Sequence, residues 1–255
     1  MRSLTAYFVL AAACLLASCG GRNAAKPVDA ATVIDSAAVA TTETIAEPTL
    51  PTLSKTAQRL DSLGYVNLAE LDSTLVINVV YATPDNFTGK VLYDDLKEAY
   101  LLPEAADKLL RAHRLLKEKH PEYRFIVYDA ARPMSVQRVM YQTAKQRGMP
   151  TGYVANPANG GGLHNYGAAV DLSIVDKNGE PLPMGTEFDF FGMEANIDRE
   201  QQLVKQGKLT EQELANRLLL RSVMRQAGFT TVSSEWWHFN HCRRNVAIEK
   251  YQLIE

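Results

Sequence analysis

The sequence predicts an α+β domain built on a central antiparallel sheet flanked by helices. Two observations carry that expectation. From about residue 56 onward, β-branched or alternating segments read as strands, and apolar residues at helical spacing read as helices. The two kinds follow one another irregularly, without a strand–helix–strand rhythm. Hydrophobic residues make up 46% of the chain and charged residues 22%. That balance fits a globular protein and excludes a disordered or multi-span membrane chain.

Each element has its own local reason. Val76-Ile77-Asn78-Val79-Val80-Tyr81 is a β-branched run and reads as a strand. A loop follows from Ala82 to Gly89. Pro103 opens a helix with Ala106, Leu109, Leu110, His113 and Leu116 along one side, and Pro121 ends it. Phe125-Ile126-Val127-Tyr128 reads as a short strand buried on both faces. Ser135 is expected to cap a helix that Gly148 and Pro150 terminate. Asn159 to Leu163 is Gly-rich loop. Ala168 to Val175 alternates, with Ala168, Val170, Leu172 and Ile174 on one face. Thr210 and Glu213 form a capping box for a helix running to about Ala227, with Gly228 as its stop. Thr230 to His238 reads as the final strand.

The amino terminus reads as an address. Arg2 precedes an uncharged apolar run from Leu4 to Leu16, shorter than the ~20 residues a bilayer span needs. The run ends in Leu16-Ala17-Ser18-Cys19, which resembles a bacterial lipobox; a plain cleavage site is the alternative. The expected organisation is a lipoprotein signal peptide over 1–18, a flexible tether over 19–54 and a folded domain over 55–255. Cys19 would carry the lipid that anchors the mature protein to a membrane. The expected location is therefore periplasmic and membrane-anchored, with Gly20 compatible with outer-membrane sorting. With 3 cysteines, no disulfide framework is available. A net charge of -2 gives no reason to expect nucleic acid as a partner.

Two histidines stand where metal chemistry wants them. His164 closes the Gly-rich loop, and Asp171 lies in the following strand. Their spacing has the wrong parity for one face of a plain strand, but a turn at Gly167 can reset it. His238, in Glu235-Trp236-Trp237-His238, supplies a third donor. Two imidazoles and a carboxylate leave one tetrahedral position for water, as in a catalytic zinc site. Glu235 is placed to take the proton as that water attacks a carbonyl. Arg132 follows directly on a buried strand and could stabilise an oxyanion.

These segments resemble the zinc D-alanyl-D-alanine dipeptidase family, relatives of the vancomycin-resistance dipeptidase. The family pattern Ser-x-His-x-x-Gly-x-Ala-x-Asp is matched by Gly162-x-His164-x-x-Gly167-x-Ala169-x-Asp171. Glu-x-Trp-His is matched by Glu235-x-Trp237-His238. Asp129-x-x-Arg132-Pro133, Asn86 to Gly89 and Met184 to Asp189 are similar to family segments too. The resemblance runs from about Val76 to His238. It implies a Hedgehog/DD-peptidase type of fold, one zinc ion held by His164, Asp171 and His238, and hydrolysis of D-Ala-D-Ala. It also implies Glu235 as general base, Arg132 as transition-state stabiliser and Asp189 as the partner of the substrate's amino group. Gly162 departs from the family serine, which removes a side-chain hydrogen bond and is expected to leave space.

Other readings stand beside these. His238, His241 and Cys242 form an alternative metal cluster. Asp129 serves to orient Arg132, or Arg132 is itself structural. Trp236 and Trp237 suit core and pocket wall, and Tyr81 a pocket wall. His113 and His120 suit hydrogen-bonded or surface roles. Alternative functions are a zinc D,D- or L,D-carboxypeptidase acting on peptidoglycan stem peptides, and a non-catalytic cell-wall-binding lipoprotein.

Overall fold

The computed structural model describes residues 53–150 and 152–255. The predicted signal peptide, lipidated Cys19 and almost all of the tether lie outside the described residues. The elements in order are α1 (Lys55–Ser62), β1 (Val66–Asn67), α2 (Leu68–Leu71), β2 (Val76–Ile77), β3 (Tyr100–Leu101) and α3 (Pro103–Lys119). They continue with β4 (Arg124–Asp129), α4 (Met134–Gln146), β5 (Ala169–Val175), α5 (Glu200–Lys205), α6 (Glu211–Gln226), β6 (Thr230–Thr231), β7 (His238–Asn240) and α7 (Arg244–Lys250). This is a mixed α+β domain.

The main sheet runs β2-β4-β5-β7-β6, and β1 pairs with β3 in a separate small sheet. Three of the main pairings, β4 with β5, β5 with β7 and β6 with β7, are antiparallel as expected. The fourth corrects the expectation of a purely antiparallel sheet: β2 lies parallel to β4, with Val76 opposite Ile126. A parallel pair requires a long crossover, and the stretch that contains α3 provides it. Buried Ala105, Leu109, Ala112 and Leu116 seat α3 in the core. Every residue of β5 is buried, so its polar alternates Asp171 and Ser173 are held inside the protein.

Three local expectations are also corrected. The strand predicted over Val76 to Tyr81 stops at Ile77; Val80–Ala82 is a 3-10 turn that buries Tyr81 beside the site. The cap of α4 is Pro133, not Ser135; the free Met134 N–H donates to the Ile254 carbonyl at 2.8 Å. The carboxy-terminal segment is thus part of that helix start. The last predicted strand divides into β6 and β7, and Ser234 and Glu235 fall in the connection between them. The capping box of α6 forms as read, with Thr210 Oγ1 accepting from Glu213 N at 3.2 Å and Glu213 Oε2 accepting from Thr210 N at 2.7 Å.

Candidate active site

The central strands place the site. Asp171 on β5 lies opposite Asp129 on β4 and opposite His238 on β7, so three polar residues form a row across adjacent strands. His164 reaches the same row from the 3-10 turn Leu163–Tyr166. That turn ends at Gly167 with φ 61, in the left-handed region. A side chain at Gly167 would also collide with the Tyr65 ring, 2.3 Å from an ideal Cβ. Glycine meets both demands and lets the chain reverse between His164 and Asp171.

The structure brings His164, Asp171 and His238 together. His164 Nε2 lies 3.3 Å from Asp171 Oδ2 and 3.2 Å from His238 Nδ1. His238 Nδ1 lies 2.9 Å from Asp171 Oδ1. The far side of each ring has its own partner. His164 Nδ1 sits 2.7 Å from the Ala130 carbonyl, which only accepts. His238 Nε2 sits 2.8 Å from Asn240 Oδ1. With protons on those outer nitrogens, both inner nitrogens would be left to offer a lone pair to a metal ion held beside Asp171. Outer partners of this kind fix the tautomer of metal-binding histidines. The donor set of two imidazoles and one carboxylate suits a zinc-type ion with an open position. Burial opposes ionisation of Asp171, but the two imidazoles outweigh it and hold its pKa far below the ordinary carboxylate range. Burial likewise disfavours the His238 imidazolium, yet Asp171 and Glu235 raise its pKa to about 9. Asp171 is thus kept ionised, and the three donor atoms lie close enough together to hold one metal ion.

Glu235 stands beside them, with Oε2 3.9 Å from His238 Nδ1. Burial raises its pKa, which suits a group that must both take and give a proton. Arg132 is buried and tightly held. Its Nε and one terminal nitrogen donate to Asp129 Oδ2 at 2.9 and 2.5 Å, and the other terminal nitrogen donates to Gln137 Oε1 at 2.9 Å. Asp129 also accepts from Tyr93 Oη at 2.6 Å. The Arg132 guanidinium lies 4.0 Å from Asp171 Oδ2 and over the Tyr81 ring at 5.2 Å.

Asp189 lines the same cavity of about 480 Å³ as the three donors, Glu235 and Arg132. Both its oxygens accept from the Tyr81 hydroxyl, at 2.9 and 3.0 Å. Burial lifts its pKa to about 7, against the pull of that hydrogen bond. It is the single non-glycine residue with positive φ, 62°, among the described residues. Strain of this sort concentrates at functional sites.

Several residues of the alternative readings fall elsewhere. His241 and Cys242 do not join the donor cluster; His241 lies against Tyr251, and Cys242 lines the cavity wall. His113 is buried on α3, bonded to Asp72 at 3.1 Å and stacked on Phe125. Trp236 and Trp237 are buried, and Trp237 forms part of the cavity lining. At Gly162 the expected space is partly taken, since a Cβ there would sit 3.2 Å from the Ala155 Cβ.

Sequence reasoning passed over Gln137, Tyr93 and Asn240. Gln137 and Tyr93 complete the Arg132–Asp129 unit, and Asn240 sets the His238 ring. Asn240 carried a readable signal: it stands two residues after His238, so a strand puts both on one face. Tyr93 lies in a loop with no periodicity to mark it.

An α+β domain that gathers such a donor set beside a buried carboxyl and a fixed guanidinium has the makings of a peptidase centre. The chain belongs to the D-Ala-D-Ala dipeptidase family, peptidase M15, whose profile matches residues 61–253. It is 31% identical over 179 residues to the D-alanyl-D-alanine dipeptidase of Escherichia coli K12, covering 70% of this chain and 85% of that protein. It is 30% identical over 196 residues to the Enterococcus faecium dipeptidase of the same name, covering 69% of this chain and 91% of that one. The corresponding Synechocystis protein is 28% identical over 179 residues, 56% of this chain and 70% of its own length.

Proposed function

We propose that this peptidase hydrolyses the D-alanyl-D-alanine dipeptide to free D-alanine, with one zinc ion held by His164, Asp171 and His238. The observation that carries the reading is the convergence of three donor atoms, Glu235, Arg132 and Asp189 on one cavity. When bound, the ion supplies a Lewis acid for the scissile carbonyl and lowers the pKa of an attacking water.

The protein's own groups do the rest. Asp189 receives the substrate ammonium. With a pKa near 7 it is readily ionised by an approaching positive charge. Glu235 takes a proton from the water as its oxygen bonds to the carbonyl carbon. Arg132, immobilised by Asp129 and Gln137, stabilises the charge developing on the carbonyl oxygen. Glu235 then passes the proton to the leaving nitrogen as the C–N bond breaks. Two D-alanine molecules leave, one water having been consumed.

The reading is tested by D-alanine release from D-Ala-D-Ala by the zinc-loaded protein, with Glu235→Ala beside it. Release lost in the variant supports the mechanism. Release from stem peptides but not from the dipeptide overturns it in favour of a carboxypeptidase.

The amino-terminal lipobox supports an exported protein anchored through lipidated Cys19, with residues 19–54 as tether. D-alanine would then be recovered outside the cytoplasm, in wall turnover or scavenging. Fatty-acid labelling that is lost in Cys19→Ala tests the anchor; a cytoplasmic mature form would sink the location.

A further inference from the structure

The cavity is larger than its proposed substrate. A dipeptide of two alanines fills ~200 Å³ at the packing density of protein interiors, against about 480 Å³ here. Part of the surplus has a continuous apolar boundary. It begins at Gly162, two residues before His164, which faces the methyl of Ala155. Tyr153, next but one along the chain, meets Phe191 edge to face with ring centres 5.2 Å apart. Phe191 meets Phe87 at 4.9 Å. Met140 completes the wall. None of these side chains is charged, and Phe87, Tyr153 and Phe191 are only half-buried, so they keep apolar surface to offer.

The wall is also fixed. Gln137 Nε2 donates to the Ala155 carbonyl at 2.8 Å. Arg147 donates to the carbonyls of Phe87 and Thr88. Phe191 follows Asp189 by two residues. The wall therefore runs from the metal-donor turn to the group assigned to the substrate ammonium. The part of a dipeptide that lies between those points is its amino-terminal residue.

We propose that this site selects dipeptides whose amino-terminal residue carries a large apolar side chain, and that the Gly162–Ala155–Tyr153–Phe191–Phe87 wall receives it. The inference rests on the dipeptidase reading and adds a side-chain preference to it. Edge-to-face aromatic packing favours an aromatic ring at this place. The Gly162–Ala155 contact keeps the near end of the wall flat. A serine at 162 would press on Ala155 and set a hydroxyl into an apolar surface.

The test uses the full-length Glu235→Ala protein loaded with zinc, so that binding is read without turnover. Calorimetric titration with D-Phe-D-Ala, D-Ala-D-Phe and D-Ala-D-Ala should rank D-Phe-D-Ala tightest, by about tenfold over D-Ala-D-Ala. D-Ala-D-Phe should gain less. Phe191→Ala and, separately, Ala155→Leu in the same background should move the D-Phe-D-Ala preference toward unity. Equal or weaker binding of D-Phe-D-Ala overturns the proposal, as does a preference that survives both substitutions. The wild-type protein, assayed in parallel for hydrolysis, separates the two readings. Hydrolysis of D-Ala-D-Ala without the binding preference leaves the dipeptidase and removes the wall's role. A binding preference without hydrolysis of any dipeptide leaves the wall and removes the dipeptidase.

Discussion

Asp171 and His238 face each other directly across β5 and β7, and 2.9 Å separates Asp171 Oδ1 from His238 Nδ1. Strand register alone accomplishes this pairing. Residues 67 positions apart in sequence become neighbours because the two strands can pair in one register without exposing Phe239 and Val170, which are fully buried.

The ring of His238 depends on Asn240. Asn240→Ala should weaken zinc affinity by about 10–100-fold, the usual loss when the outer partner of a metal-binding histidine is removed. Competition against a chromogenic chelator measures it, and unchanged circular dichroism would show that the fold persists. Unaltered affinity would mean that Asn240 does not set the ring.

Arg132 is held by two partners in a geometry lysine cannot copy. Arg132→Lys should lower kcat by roughly 10²–10³-fold, as for loss of an oxyanion donor, with a smaller effect on KM. A change confined to KM would assign Arg132 to ground-state binding instead.

Asp189 makes stability depend on pH. Its folded pKa of about 7 lies above the ordinary value of 3.8. The carboxyl therefore favours the folded state below about pH 4, and that contribution is lost as pH rises through 7. Asp189→Asn keeps an acceptor for the Tyr81 hydroxyl but carries no charge. The metal-free variant should match the parent in urea at pH 4 and unfold at higher urea than the parent at pH 8. The same variant should lose dipeptide binding. Equal midpoints at pH 8 would refute the buried-charge argument.

Gly167→Ala forces a side chain into positive φ and against Tyr65. Overpacking of this kind costs about 1–3 kcal/mol, to which the backbone strain adds. A lower denaturation midpoint with weakened zinc binding is expected. Loss of stability with full zinc affinity would separate the turn from the ligand geometry.

His241 and Cys242 stand outside the donor cluster. His241→Ala should leave zinc stoichiometry at about one per chain by elemental analysis. A drop in stoichiometry would restore the alternative cluster.

The sequence disclosed those features that rest on local chemistry. The Thr210–Glu213 box, the proline at the start of α3 and the alternation of β5 are decided within a few residues. The pairing of β2 with β4 was hidden, because two residues of strand carry no period and the crossover contains unrelated elements. The split between β6 and β7 was hidden too, since Ser234 and Glu235 leave the strand to enter the cavity. Among site residues, the motif around His164 and Asp171 and the one around His238 announced themselves. Tyr93 and Gln137 did not, because their importance comes from touching Asp129 and Arg132 in space. No spacing rule encodes that contact.

The row of residues across β4, β5 and β7 bears on how the protein is made. The donors come from separate stretches, and His164 and His238 are 74 positions apart. Contacts between such distant segments carry a high loop-closure cost and form slowly. An unfolded chain would offer a zinc ion few converging donors, so the ion would favour the folded state by mass action. At a thousandfold excess over its dissociation constant it would add about 4 kcal/mol of stability. Before the ion arrives, Asp171 and its carboxylate neighbours stand close together with only Arg132 and a proton on His238 to balance them. Metal supply would then govern not only turnover but how long each newly made chain survives proteolysis.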